Sequence, residues 1–438
     1  MYSSKLEKNF IYEIGNDYQD NSRNLDHFYK KNKSLNKQLN KQKNKIDFYY
    51  NENSGLWDNM KKFSNEYEFI YTNNSDNFKN LSNIYPISRS YFKLWEILHD
   101  FNFNNNNTIF NDLITGEEFT TCHLAEGPGG FIECIYKFIL KYISNDFSKI
   151  KIYGSTLFSN NNTVPRWKIK KNILNKYNII LNNNINENGD LYCIKQVELL
   201  INKIGKNKCN FITADGGFDF SSNYNGQEKN FLNLFISEIY IILNLLKNNG
   251  NGLIKIYDIF SKNSIKVLYI LSMFFEKIYI IKPFTSRPAN SEKYILCKKF
   301  NINEKNSFYL EILKNIIITK NLELLNNKNI NTPYNFIHKI YNYNKWYTQR
   351  QISYINKTIN YINIFIDDEN NKKNKIVNGE KNKIVNGEKN KIVNGEKNNI
   401  VNGEKNNIVN SKINFFLNSL YNLNKKSCIE WCKNYKII

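Results

Sequence analysis

Residues 123–135 read HLAEGPGGFIECI: an apolar run, three glycines broken by a proline, then the first turn of a helix. A glycine-rich turn directly after a strand lets the chain reverse tightly and lets a ligand touch backbone that a Cβ would shield. A dinucleotide would call for GxGxxG with a helix N-terminus aimed at its pyrophosphate. Here the run is G-P-G-G, and Pro128 removes one of the N–H groups a phosphate cradle would use. A ligand that needs close approach more than phosphate donors, such as the methionine moiety of S-adenosylmethionine, suits the loop better. The structural alternative is a plain tight turn.

Outward from this loop, between Ile84 and Phe300, apolar runs of four to seven residues alternate with segments of helical period. Strands are expected at 120–125, 151–156, 211–215, 252–257, 277–282 and 294–299, and helices starting near Tyr85, Gly130, Glu228 and Lys262. Such alternation predicts an α/β fold with a doubly wound, mostly parallel sheet. The last two strands lie too close for a crossover helix and should pair antiparallel. Flanking this domain (81–300) are a basic polar segment at 1–80 with expected RNA or cap contacts and a basic helical extension at 301–370. Residues 371–410 repeat NKIVNGEK and close variants. Copies with only Ile and Val to bury, at a period far below the 20–50 residues of solenoids, predict a flexible linker. A short helix with Trp431 should close the chain at 411–438.

The 438 residues carry a formal charge of +21 and 41% hydrophobic residues. That balance supports a folded protein with a polyanionic partner, nucleic acid ahead of membrane. Its bland alternative is compositional drift, since Asn, Lys, Ile and Tyr abound as an A+T-rich genome would produce. No run reaches the apolar length of a membrane span and MYSSKLEKNFIYEIG lacks a signal-peptide core, so an intracellular protein is expected. Seven cysteines, with Cys428 and Cys432 one helical turn apart, show no paired CxxC spacing, and no metal is expected.

HLAEGPGGF resembles motif I of FtsJ-like ribose 2′-O-methyltransferases, and SRSYFKLWEI (88–97), TADGGF (213–218) and GLIKIYDIF (252–260) resemble that family's lysine helix, aspartate strand and second-lysine strand. KPFTSRPANSEKYILCK (282–298) is similar to the signature of the mRNA cap, or adrift-type, branch. The resemblance covers roughly 85–300 with the motifs in order. It implies a Rossmann-like, S-adenosylmethionine-dependent methyltransferase fold with an antiparallel last strand. Lys93, Asp215, Lys255 and Glu292 match the catalytic Lys-Asp-Lys-Glu tetrad one by one. In that implied site Lys255 takes or shares the ribose hydroxyl proton, Asp215 and Lys93 orient its amine, and Glu292 holds Lys93 and the ribose side. Read alone, each has a structural alternative: a strand-end lysine is a solvated charge and an Asp before two glycines a turn former. Against it, Lys255 interrupts an apolar run, where an ammonium is costly to bury.

The resemblance further implies cofactor contacts from Glu126, Gly127, Pro128, Gly129, Gly130, Phe131, Thr156, Asp190, Leu191 and Asp215. Asp190 would accept from the adenine amino group with Leu191 beside the ring. Two departures stand out. His123 replaces the acid that the bacterial branch carries at the strand end, so Glu126 is expected to supply it, and YGSTLF offers no acid for the cofactor ribose. RNA contacts are expected from Ser88, Arg287 and Glu292, from Lys61 beside Trp57, and from the polar loop FDFSSNYNGQEKN after Asp215.

These motifs together point to methylation of the ribose 2′-hydroxyl of a cap-proximal mRNA nucleotide, with capped mRNA and other capping or transcription proteins as partners. The compartment would be a cytoplasmic viral factory if the source is viral, or the nucleus if cellular. A 2′-O-methyltransferase of ribosomal or transfer RNA keeps the chemistry and changes the substrate. A catalytically silent RNA-binding scaffold is the alternative of another class.

Overall fold

The computed structural model describes residues 10–14, 25–52, 54–72, 79–102, 109–159, 161, 164–182, 186–217, 224–301, 307–386 and 397–437. In chain order the elements are β1 (Phe10–Ile14), α1 (Asp26–Glu52), α2 (Ser54–Phe63), α3 (Ser90–Asn102), α4 (Asn111–Ile114), β2 (Phe119–Leu124), α5 (Gly130–Tyr142), β3 (Ile150–Ser155), α6 (Lys171–Lys176), β4 (Ile179–Leu181) and α7 (Ile194–Ile204). There follow β5 (Cys209–Ala214), α8 (Gln227–Leu245), β6 (Leu246–Ile256), α9 (Lys262–Ser272), β7 (Phe275–Lys282), β8 (Lys293–Phe300), α10 (Ser307–Thr319), α11 (Tyr334–Asn386) and α12 (Lys397–Asn434). The chain forms two compact units, residues 1–41 with 84–351 and residues 42–83 with 352–438, so that α1 and α11 are each divided between them.

The first unit holds one eight-stranded sheet in the order β1-β7-β8-β6-β5-β2-β3-β4. Strands β4, β3, β2, β5 and β6 run parallel. β8 is antiparallel to both β6 and β7, as the short connection between the last two strands requires, and β1 adds an antiparallel edge on β7. The central strands β2 and β5 are buried almost throughout because both faces are covered. In β2 the faces alternate residue by residue. Cys122 and Leu124 join the core formed with α7, α8, α9 and α10, whereas Phe119 packs at a tilt on Phe110, which in turn stacks on Phe138 of α5. On that second side α3 packs on α5 through Trp95 and Phe138.

His123 is wholly buried within β2, bonded to Thr213 Oγ1 at 2.8 Å and Thr121 Oγ1 at 3.0 Å. Burial pushes its pKa down to about 3, so the imidazole is a neutral part of the sheet. Among the described residues of the polar first 80 are β1, α1 and α2, more regular structure than their composition indicates. Edge strand β4, with three residues, is too short to leave a periodic signal. The helix expected near Tyr85 starts at Ser90, because Ile87 N–H is held by Glu133 Oε2 at 2.6 Å instead of entering a helical turn.

The second unit is helical. Thr358 Oγ1 donates to Ser64 Oγ at 2.7 Å, Asn424 Nδ2 to the Phe63 carbonyl at 2.8 Å, and Tyr421 packs edge-on against Phe69. Cys428, Trp431 and Cys432 are buried there. The repeat at 371–410, expected as a linker, is helical over 371–386 and 397–410, with 387–396 outside the described residues. Lys and Glu are good helix formers, and a single glycine per copy costs only about 1 kcal/mol. The closing helix is correspondingly longer than 411–438.

Candidate active site

Asp215 is the first residue beyond β5, Lys255 the penultimate residue of β6, and Glu292 directly precedes β8. All three therefore lie where β5 and β6 end and the antiparallel β8 begins, the sheet edge at which open α/β folds bind ligands. Lys93, from the first turns of α3, completes the group. Its Nζ reaches both carboxylate oxygens of Glu292, at 2.7 and 2.8 Å. Lys255 Nζ donates to the Asp215 carbonyl at 2.7 Å and lies 3.2 Å from Asp215 Oδ1. Tyr294, opposite Lys255 across the β6–β8 ladder, donates its hydroxyl to the same Oδ1 at 3.0 Å. The structure thus brings the four expected residues together as two ion pairs.

Side chains not singled out in the sequence hold this arrangement. Ser286 Oγ donates to Glu292 Oε1 at 2.7 Å. Lys282, buried at the end of β7, donates to the Glu292 carbonyl at 2.6 Å and to Asn290. Glu96, one turn after Lys93 and fully buried, accepts from the amides of Phe284 and Thr285 at 2.7 and 3.2 Å and from Thr285 Oγ1 at 3.1 Å. One helix therefore grips the loop before β8 twice, once through a catalytic candidate and once through Glu96. The signal in sequence is faint: an acid three residues from a lysine, with its partners nearly 190 residues away.

The charges in the cluster set one another. Burial alone would lower the Lys255 pKa, but Asp215, Tyr257 and Glu292 outweigh it and raise it, so that with these neighbours Lys255 is a firmly held ammonium. For Glu292 burial works upward and is overcome by Lys93, Lys255 and Lys282, which keep its carboxyl well below the usual range. Lys282 is moved the opposite way, far below an ordinary lysine, chiefly by burial.

The glycine loop turns before α5. Glu126, 2% exposed, accepts from Phe131 N–H at 2.6 Å through Oε1, while its Oε2 is buried with no partner of ordinary hydrogen-bond geometry among the described residues, the Ile132 amide also acting on the carboxylate. Burial raises its pKa well above the carboxylate norm, and the charges of Asp215 and Lys255 both act on it. Gly129 has φ +115°, a conformation open to glycine. The other two glycines differ from the sequence reading in what crowds them. A Cβ on Gly130 would lie 2.1 Å from Ser88 Oγ and 2.4 Å from Ser90 Oγ, and one on Gly127 2.5 Å from the Pro165 carbonyl. The missing side chains thus make room for the chain itself, seating the loop on the start of α3. Ser88, expected at RNA, shares a 2.5 Å hydrogen bond with Ser90 at this seat. The Phe131 ring lies 6.1 Å from that of Tyr294.

Beyond β3, Thr156 Oγ1 accepts from Gly127 N–H at 3.2 Å. Asn182, absent from the sequence reading, accepts from Thr156 N–H at 2.9 Å and donates to the carbonyls of Thr156 and Glu187 at 2.7 and 3.0 Å, lacing the 156 and 187–190 segments together. Asp190 Oδ1 accepts from Tyr192 N–H at 2.9 Å, an Asx turn ahead of α7. Leu191 is buried in the core, and with Ser155, Asn182 and Gly189 it also lines a pocket at the ends of β3 and β4. Gly189, at φ +67°, would place a Cβ 2.1 Å from the Thr156 carbonyl. A Gly189→Ala variant should therefore melt several degrees below wild type in a thermal scan, because backbone on both sides must move.

The remaining expected RNA contacts divide. Arg287 is half-buried on the loop that carries Glu292. Lys61 belongs to the second unit, where it pairs with Asp58 one turn earlier in α2. Residues 218–223 of the polar loop after Asp215 lie outside the described residues. Among the described residues no group of three His, Cys, Asp or Glu side chains is placed to hold a metal ion, and no helix is long and apolar enough to cross a membrane.

A mostly parallel sheet with an antiparallel strand beside its last crossover, a glycine loop after β2 and a Lys-Asp-Lys-Glu cluster at the strand ends are the features of an α/β fold of the methyltransferase type. Residues 86–300, just under half of the chain, match the family of FtsJ-like methyltransferases, and this segment is an FtsJ-like methyltransferase domain. Over 228 residues the chain is 26% identical to the cap-specific mRNA (nucleoside-2′-O-)-methyltransferase 2 of Drosophila melanogaster, covering 48% of this chain and 29% of that protein. Over 178 residues it is 32% identical to the cap-specific mRNA (nucleoside-2′-O-)-methyltransferase of Autographa californica nuclear polyhedrosis virus, covering 41% and 63%. An African swine fever virus protein named "Probable methyltransferase EP424R" is 29% identical over 227 residues, covering 48% and 49%. The chain thus spans about a third to two thirds of the length of these relatives.

Proposed function

We propose that this chain transfers the methyl group of S-adenosylmethionine to the ribose 2′-hydroxyl of a cap-proximal nucleotide of mRNA. The observation that carries the reading is the convergence of the Lys93–Glu292 and Lys255–Asp215 pairs at the sheet edge, within electrostatic reach of Glu126. The cap-specific names of two relatives favour capped RNA as the substrate.

The residues fit the cofactor. A buried carboxylate oxygen with no partner suits an ammonium donor, and Glu126 Oε2 provides one beside the glycine loop. Residues 127–131, Thr156, Asp190, Leu191 and Asp215 would hold the rest. When bound, the cofactor supplies the transferable methyl group and a positive charge that favours loss of the Lys255 proton. The chain's own part is positioning and proton handling. Glu292 and Asp215 hold two amines in fixed places, and an amine so fixed can orient the ribose hydroxyl oxygen. As the new O–C bond forms, the hydroxyl proton needs an acceptor, and Lys255 serves once it is neutral. Since the chain's charges favour its ammonium form, that role depends on the loaded site, a sharper condition than the sequence supplies.

The test is to incubate the full chain with labelled S-adenosylmethionine and either capped or uncapped transcripts, and then map the methylated ribose by nuclease digestion. Label is expected in the nuclease-resistant fragment bearing the cap. Equal labelling of uncapped RNA would move the substrate to ribosomal or transfer RNA. No transfer to either would leave an RNA-binding scaffold.

A further inference from the structure

Helix α1 has no acidic residue between Asp26 and Asp47, and within the first unit Lys30, Lys33, Lys37 and Lys41 follow one another at spacings of three and four. That spacing puts them on one helix face. All four are exposed, and none has an ion-pair partner among the described residues. Phe28, Asn32, Leu35 and Leu39 form the opposite face and are buried. Phe28 packs against Tyr334, His338 and Tyr341 of α11. Asn32 accepts from Asn344 Nδ2 at 2.7 Å, and Asn344 also donates to the Ile259 carbonyl at 2.9 Å. The helix is thus fixed through its inner face with its lysines turned out.

At 1.5 Å per residue the four lysines span about 16 Å, and Ser34 and Gln38 stand exposed among them as neutral hydrogen-bonding groups. Lys262 lies 5.5 Å over the ring of Tyr29, which neighbours Lys30. It opens α9, seven residues after Lys255, so the row of cations continues to the segment that leaves the catalytic strand. A basic helix that binds lipid needs a free apolar face, and here that face is already buried in protein. We infer that Lys30, Lys33, Lys37 and Lys41 form a track for the phosphodiester backbone of the RNA substrate, engaging nucleotides beyond those in the catalytic site.

This inference rests on the RNA-methyltransferase reading, and its test separates the two. In the full chain, Lys30, Lys33, Lys37 and Lys41 are replaced together by Gln and also singly. Fluorescence anisotropy then follows binding of an uncapped 40-nucleotide RNA across a salt series, and methyl transfer is measured on capped RNAs of 5 and 40 nucleotides. Each phosphate contact on a single strand adds about 0.7 to the slope of log affinity against log salt, so the quadruple variant should lose about 3 and each single variant about 0.7. Affinity for the long RNA should fall at least tenfold near physiological salt, and KM for the long capped RNA should rise in step. The kcat and the KM for the 5-nucleotide RNA should stay at wild-type values. An unchanged slope or equal losses on both RNA lengths would each overturn the track. Absence of methyl transfer by the wild-type chain would refute the enzymatic reading alone, because the binding slopes still report on the lysines.

Discussion

A Lys255→Met variant should lose methyl transfer by about 10³-fold or more in kcat while keeping its fold and binding S-adenosylmethionine within a fewfold of wild type. Lys255 is 8% exposed in the all-but-buried end of β6, and methionine replaces its stem without adding a polar group to the interior. Asp215 is not stranded by the change, because Tyr294 still donates to its Oδ1. That keeps the structural cost below the 3–5 kcal/mol typical of breaking a buried pair outright. The wild-type pH profile gives an independent check. In the free enzyme Asp215, Tyr257 and Glu292 outweigh burial and hold the Lys255 pKa above the ordinary lysine value. A base that must be neutral then makes kcat/KM, which reports free-enzyme ionisations, climb through the alkaline range without levelling below about pH 10. The kcat, which reports the loaded enzyme, should level off at lower pH. A plateau of kcat/KM near neutrality, or a Lys255→Met variant with ordinary turnover, would remove Lys255 from the proton path.

Asp215 and Lys255 were legible because an ionisable side chain inside an apolar run contradicts its surroundings, and only a partner or a function resolves that. The glycine loop was legible for a reason that proved incomplete: Gly127 and Gly130 answer to Pro165, Ser88 and Ser90 as much as to any ligand. Glu96, Asn182 and Lys282 could not be found this way. Glu96 and Asn182 act through partners set by topology, such as the Glu96 contacts with the 284–285 amides, and a lone acid in a helix or amide after a strand carries no local contradiction. Lys282 ends an apolar strand as Asp215 follows one, but its partners Asn290 and Glu292 come from the loop that folds back on it. The antiparallel pair β7–β8 followed from the length of its connection. Strand β1, whose partner β7 lies some 270 residues away, had no such constraint to betray it.

Glu238 had no sequence signal either, yet it underlies the second large effect expected. It projects from α8 with 0% exposure, and neither carboxylate oxygen has a hydrogen-bond partner among the described residues that meets ordinary geometry. It packs so close to the turn after Asp215 that a Cβ on Gly216 would lie 2.3 Å from its Oε1. Burial and the charge of Asp215 push its pKa up to about 8, with Lys255 and the Gly216 amide pulling the other way. Tyr192 and Tyr257 are the other titratable groups its charge reaches. The sign of the consequence follows from proton counting. Between the unfolded value near 4.5 and about 8 the folded state binds a proton that the unfolded state has released, so stability falls as pH rises through that window. The full excursion is on the order of 5 kcal/mol. A Glu238→Gln variant keeps the shape and cannot ionise. Its melting temperature should differ little from wild type at pH 5 and stand several degrees above it at pH 8, the gap widening as pH rises between the two. If the variant were instead less stable by the same amount at every pH, Glu238 would be serving as a paired carboxylate, and the Gly216 amide would be the partner that holds the Asp215 turn in place.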